Sequence, residues 1–264
     1  MATRIVALSP SSAEAAFALG LQDEVVGVGE ACTGLPGAAG KPTVAGVTTF
    51  DAAAVLDLKP QLVLAYAVPS AAGRAAGTAW VAEVRAAGVE VDVASPEDTG
   101  GVLHELLRLG LRTGRVAEAS AAIDATRGRL EAVLARVPPD VAVACYLEAW
   151  PDPPTTVAAG HWLHDVLQLC GGRNVFEPSG APALAASLDE VATRAPQAML
   201  GVWPASSAAG PARPARFALR PGWDALSAVG EGRAHVLPDP LLAWPGPRVD
   251  ALAAWMVGAL HAPA

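Results

Sequence analysis

Short apolar runs alternate with amphipathic stretches along this chain, and together they predict strands and helices in turn. Residues 3–8, apolar from Ile5 to Leu8, read as a buried strand. Ser9-Pro10-Ser11-Ser12 follows, with Ser11 and Glu14 spaced as the capping box of a first helix. Residues 25–28 predict a second strand, and a Gly/Pro-rich loop covers residues 29–42. A short helix starts near Asp51, and residues 62–66 make a fully apolar strand. A helix around residues 70–87 and a strand at 89–93 follow. Strands and helices alternating at these lengths imply a mainly parallel sheet with helices on both faces.

Residues 115–137 read differently. Val116, Ala119, Ile123, Leu130, Val133 and Val137 form one helical stripe, charged residues take the other faces, and Pro138-Pro139 ends it. At ~1.5 Å per residue this helix is roughly 33 Å long, about a domain diameter. A new strand-and-helix series starts at residues 141–146. The expected organisation is therefore an α/β lobe over residues 1–114, a rigid spine helix over 115–137 and a second α/β lobe over 138–264. The halves echo each other. Val55 to Leu64 and Val191 to Leu200 both read as a short helix, a Pro-Gln corner and a buried strand, with Asp51 and Ser187 at the N-cap positions. Two such lobes leave a cleft at their strand ends, where open α/β sheets hold ligands.

Composition narrows the partners. A hydrophobic content of 52% with 17% charged residues suits a chain with an ample core. The net charge of −8, with Lys41 and Lys59 the only lysines, argues against nucleic acid and anionic membranes. No apolar run approaches the ~20 residues of a membrane helix. Cys32, Cys145 and Cys170 lack the paired spacing of a zinc knuckle or disulfide scaffold. The chain enters its first strand with no basic leader. That predicts a cytoplasmic protein, or a periplasmic or extracellular one whose export signal has been removed.

Several stretches carry a family resemblance. Arg4-Ile5-Val6-Ala7-Leu8-Ser9-Pro10-Ser11, Leu58-Lys59-Pro60-Gln61-Leu62-Val63 and Gly171-Gly172-Arg173-Asn174-Val175-Phe176 resemble, in order, segments of the helical-spine solute-binding proteins, as do Pro221-Gly222-Trp223 and Pro245-Gly246-Pro247-Arg248. That family serves ABC importers of cobalamin, haem and iron-siderophores. Glu148-Ala149-Trp150-Pro151-Asp152-Pro153-Pro154 and Gly160-His161-Trp162 are most similar to its cobalamin-binding branch, in members lacking a signal peptide, and Cys32 matches a cysteine common there. The resemblance implies two Rossmann-like lobes with mainly parallel sheets joined by one long spine helix. It further implies a monomer holding a bulky metal chelate such as cobalamin between its lobes, an ABC permease as partner, and no catalysis. In exported members one acidic residue per lobe docks on importer arginines. Those positions fall here on Asp189, with Glu190 beside it, and on Ala53, which carries no charge. A cobalamin-binding relative lines its cleft with tryptophans, and the matching sites are Val47, Tyr66 and Ala183. In some relatives the Cys170 position is tied to the C-terminal helix, where Val257 stands here.

Position on the predicted elements adds candidates. Trp150, Trp162 and Trp203 fall at or just beyond strand ends of the second half, where aromatic faces suit a flat macrocycle. His161 is a candidate axial ligand to a bound metal, beside Trp162, and Tyr66 and Cys32 are placed to face them from the first half. Ser187 and Glu190 have capping-box spacing. His161 and His164, three apart, leave open a divalent-metal binder, for zinc or manganese, of the same architecture. A cytoplasmic enzyme or chaperone handling a corrinoid or haem stays open as well, although no phosphate loop or nucleophile elbow occurs.

Overall fold

The structure, a computed structural model, describes residues 3–46, 49–67, 71–179, 181–204 and 215–261; Val47 and Ser70 lie outside them. The chain divides into two compact units. The first is Met1–Pro96, Gly100–Ala125 and Trp244–Pro247; the second is Glu97–Thr99, Thr126–Ala243 and Arg248–Ala264.

In the first unit, β1 (Ile5–Ala7), α1 (Pro10–Ala18), β2 (Val25–Gly29), β3 (Thr43–Ala45), α2 (Ala52–Asp57), β4 (Leu62–Tyr66), α3 (Ala71–Ala86), β5 (Glu90–Ala94) and α4 (Thr99–Thr113) follow in order. The strands form a parallel sheet of order β3-β2-β1-β4-β5. Val6, Val63 and Val91 from the sheet pack with Val55, Val84 and Trp80, and Phe50 stacks on Trp80 at 4.9 Å between ring centroids. The first helix starts earlier than its expected box. Pro10 occupies N1, where its missing N–H costs nothing, so Ser9 is the N-cap and accepts from Ser12 N at 3.3 Å. Ser11 is then inside the helix. The helix α4 had no counterpart among the sequence expectations. After Gly114, whose φ of +71° allows the turn, α5 (Val116–Leu134) begins.

The second unit contains β6 (Val143–Pro151), β7 (Pro154–Val157), α6 (Trp162–Leu169), β8 (Gly172–Asn174), β9 (Ala183–Ala185), α7 (Leu188–Arg194), β10 (Ala198–Gly201), α8 (Ala215–Ala218), α9 (Ser227–Gly230), β11 (Ala234–Val236) and α10 (Val249–His261). Its sheet runs β11-β10-β6-β7-β9. The long β6 pairs in parallel with β10 and β8, and its carboxyl end folds back as an antiparallel hairpin with β7. Tyr146, Phe176, Val191, Met199, Trp203, Phe217 and Trp223 are buried together as its core.

The echo between the halves extends to backbone conformation. Lys59 and Ala195, the residues before the two prolines, are both left-handed, at φ 49° and 44°. Right-handed helix geometry is disfavoured before proline, so each helix must stop there. The next residue then performs the same task twice. Gln61 donates its N–H to Arg4 O at 2.9 Å and its side-chain oxygen accepts from Arg4 N at 2.6 Å. Gln197 donates its N–H to Ala144 O at 2.7 Å and accepts from Ala144 N at 2.9 Å. Each glutamine clamps the entry of the neighbouring central strand and sets its register. The caps match too: Asp51 accepts from Ala54 N, while Ser187 and Glu190 form a complete capping box.

Candidate functional site

The functional candidates of the first unit fall where parallel strands end, while in the second Trp150 lies in the antiparallel β6–β7 hairpin and His161 and Trp162 follow it. Tyr66 is the last residue of β4, half-buried, and its ring meets Trp244 edge to face at 5.8 Å. Cys32 lies just after β2, fully buried, with its thiol 3.7 Å from Ala7 O. Burial pushes this thiol up to about 12, so it is a protonated packing group at neutral pH. A cavity of about 40 Å³ beside Leu64, Asp92 and Ser12 has room for a water or two.

In the second unit the three candidate tryptophans have different environments. Trp150, near the end of β6, stays half-exposed, and its indole N–H donates to Asp152 O at 2.9 Å. Trp162 opens α6 and is fully buried, and Trp203 is 2% exposed within the aromatic core. His161 is the N-cap of α6, buried, its Nδ1 accepting from Leu163 N at 3.1 Å. Burial first, and His164 second, pull its pKa down to about 3, so the ring is neutral. With Nδ1 accepting, the neutral ring carries its proton on Nε2, which has no hydrogen-bond partner among the described residues. In that tautomer Nε2 is a donor, not a lone pair for a metal. His164 is buried too, with Nδ1 3.3 Å from the Asn174 side-chain nitrogen. Among the described residues no group of three or more His, Cys, Asp or Glu side chains is placed to hold a metal ion.

Asp189 and Glu190 are exposed on α7, and Ala53 is exposed on α2. The Glu190 carboxylate accepts from Ser187 N at 2.9 Å and Ser187 Oγ at 2.8 Å, which holds its pKa below the usual carboxylate range. Cys170 Sγ lies 3.5 Å from Ala253 O, so the link to α10 is a hydrogen bond.

A buried polar cluster joins residues that the sequence does not connect. Glu148 sits on β6 with no exposed side-chain surface, and Arg220 meets it with two parallel bonds of 2.6 and 2.7 Å. Tyr146 donates its hydroxyl to the same carboxylate at 2.8 Å. Burial lifts the Glu148 carboxyl above its ordinary value, opposed by Arg220, and burial together with Glu148 holds Tyr146 protonated. The guanidinium carbon lies 4.8, 5.5 and 5.7 Å from the ring centroids of Trp223, Phe217 and Trp203. Above this layer is an open depression of about 690 Å³, lined by Trp150, Pro151, Asp152, Pro154, Arg220, Pro221 and Trp223. One signal for it was legible: a lone acid inside the apolar run 144–149 needs a buried counter-charge.

Comparisons with known proteins agree with this architecture. Over 196 residues the chain is 26% identical to the vitamin B12-binding protein of Vibrio cholerae serotype O1, covering 74% of this chain and 69% of that protein. The vitamin B12-binding protein of Yersinia pestis is 29% identical over 201 residues, 75% and 69% of the two chains. The crystal structure of the periplasmic vitamin B12 binding protein of Vibrio cholerae superposes with a TM-score of 0.77 at 25% identity, covering 97% of this chain and 96% of that one. A periplasmic heme binding protein from Pseudomonas aeruginosa shares the fold, with a TM-score of 0.82 at 24% identity over 100% and 94% of the chains. Residues 5–241 match the family described as periplasmic binding protein, and this chain belongs to that family.

Proposed function

We propose that this protein is a solute-binding protein for a bulky metal chelate, a corrinoid of the cobalamin type. The observation that carries the reading is the partly open aromatic surface at the strand ends of the second unit, where Trp150 overlooks a depression of about 690 Å³. Such a surface offers large apolar area at low entropy cost to the edge of a flat ring, at the place where open α/β sheets hold ligands. Tyr66, at the end of β4, is the corresponding aromatic of the first unit. The likeness to vitamin B12-binding proteins over about three quarters of the chain supports cobalamin within the chelate class.

Titration with cobalamin, cobinamide, haemin, a ferric siderophore and zinc, followed by absorbance and calorimetry, tests this. The expected result is corrinoid binding at about micromolar Kd or tighter, roughly 8 kcal/mol. Binding of zinc with no macrocycle would sink the proposal, and turnover of a bound corrinoid would replace it with an enzyme.

A further inference from the structure

Arg220 is half of a fully satisfied ion pair and still faces the open depression. Its side chain is 17% exposed, while that of Glu148 is 0% exposed. Two of its bonds go to Glu148 and a third to Pro151 O at 3.0 Å. A guanidinium has five N–H groups, so the Nε–H and one Nη1–H have no partner among the described residues. Its rotamer is held, because the same carboxylate and three aromatic rings enclose it. The remaining lining supplies few competing donors. Pro151, Pro154 and Pro221 have no backbone N–H, and the Trp150 indole N–H already donates to Asp152 O.

Charge decides what such a donor recognises. An arginine with an unpaired charge attracts carboxylates, forming two parallel bonds. Here that fork is filled by Glu148, and Asp152 on the rim adds an exposed carboxylate. Locally one guanidinium stands against two carboxylates, so an approaching anion gains no net attraction. A neutral carbonyl oxygen meets a strong, fixed donor without that penalty.

We infer that this depression is a subsite for uncharged amide groups, with Arg220 donating to an amide carbonyl and Trp150 and Trp223 flanking it, and that it discriminates against carboxylates. Resting on the function proposed above, the amides are those on the rim of a corrinoid, and macrocycles bearing carboxylates are disfavoured.

The test uses the full chain, labelled with ¹⁵N, and two small probes of one shape, propionamide and propionate. Propionamide at millimolar concentration is expected to shift the Arg220 Nε–H and Trp150 indole resonances, and propionate to shift them several-fold less. Asp152→Asn, on an exposed residue, is expected to raise the propionate response about threefold and leave the propionamide response as it was. Equal or larger shifts with propionate, or an unmoved Arg220 resonance with both probes, would overturn the inference. A parallel measurement compares cyanocobalamin and haemin with the native chain and with Arg220→Lys, whose compact ammonium cannot reproduce the planar fork. Cyanocobalamin affinity is expected to fall about tenfold in Arg220→Lys, with circular dichroism unchanged. Tight cyanocobalamin binding indifferent to Arg220→Lys rejects the subsite while the chelate reading stands. A propionamide response in a protein that binds no macrocycle rejects the chelate reading while the subsite stands.

Discussion

His161 shows how one side chain can be pulled between a structural and a chemical role. Its ring caps α6 through Nδ1, and it pays for that position by being buried and neutral. Its folded pKa, about 3, lies below the unfolded value near 6.5, so the unfolded chain binds the extra proton. The stabilisation is therefore complete above pH 6.5 and is lost progressively as pH falls toward 3, at up to about 1.4 kcal/mol per pH unit. Asn caps helices well and does not titrate. Urea denaturation of His161→Asn between pH 7 and 4 should give a flatter stability profile than the native chain. Parallel profiles would mean that His161 does not carry the titration. The tryptophans make the complementary point. Trp150, Trp162 and Trp203 were equivalent by position, since each falls at a strand end or helix start. Which ring stays open is decided by packing from residues far along the chain, as with Phe217 against Trp203 at 5.5 Å. For Glu148 the need for a counter-charge was legible, but its partner was not, since Arg220 lies 72 residues away.

Among the elements, those with complete local signals were read closely. Residues 62–66 match β4 end for end, and the Ser187–Glu190 box opens α7 as its spacing implies. The element β3 is three residues between Pro42 and Gly46 and offers no period to detect. The stripe of α4, Val102, Leu106 and Leu109, was present in the sequence but weakened by Gly100, Gly101 and Gly110. The Pro-Gln corners were legible as a repeat, but their purpose was not, because the bonds to Arg4 N and Ala144 N join distant segments. Gln197→Met keeps the side-chain length and removes the acceptor, leaving Ala144 N–H without its side-chain partner at the entry of β6. The expected cost is about 1 kcal/mol. Hydrogen exchange at the Ala144 amide should accelerate about fivefold to tenfold if that cost appears as local opening. Unchanged exchange would show that water replaces the glutamine without loss.

At the scale of the molecule, the two-unit plan with parallel-dominated sheets follows from the alternation of strand and helix signals, but the chain does not respect a single boundary. Trp244–Pro247 belongs to the first unit. There Trp244 meets Tyr66, and Gly246 lies where a Cβ would come within 3.2 Å of a Glu14 carboxylate oxygen. Trp244 is 6% exposed, so Trp244→Ala should cost about 3–5 kcal/mol. The three buried thiols report where that loss falls: Cys32 in the first unit, Cys145 and Cys170 in the second. Thiol labelling of the variant should accelerate at Cys32 more than at the other two. Equal acceleration at all three would mean that both units unfold as one.

That borrowed segment has a consequence for biosynthesis. Growing from its amino end, the chain emerges from the ribosome with its first sheet complete through β5 long before residues 244–247 exist. The first unit must therefore remain unfinished, with Tyr66 still waiting for Trp244, until residues 244–247 have been made. Synthesis order and folding order part company, and a stretch made late helps to close the unit begun first.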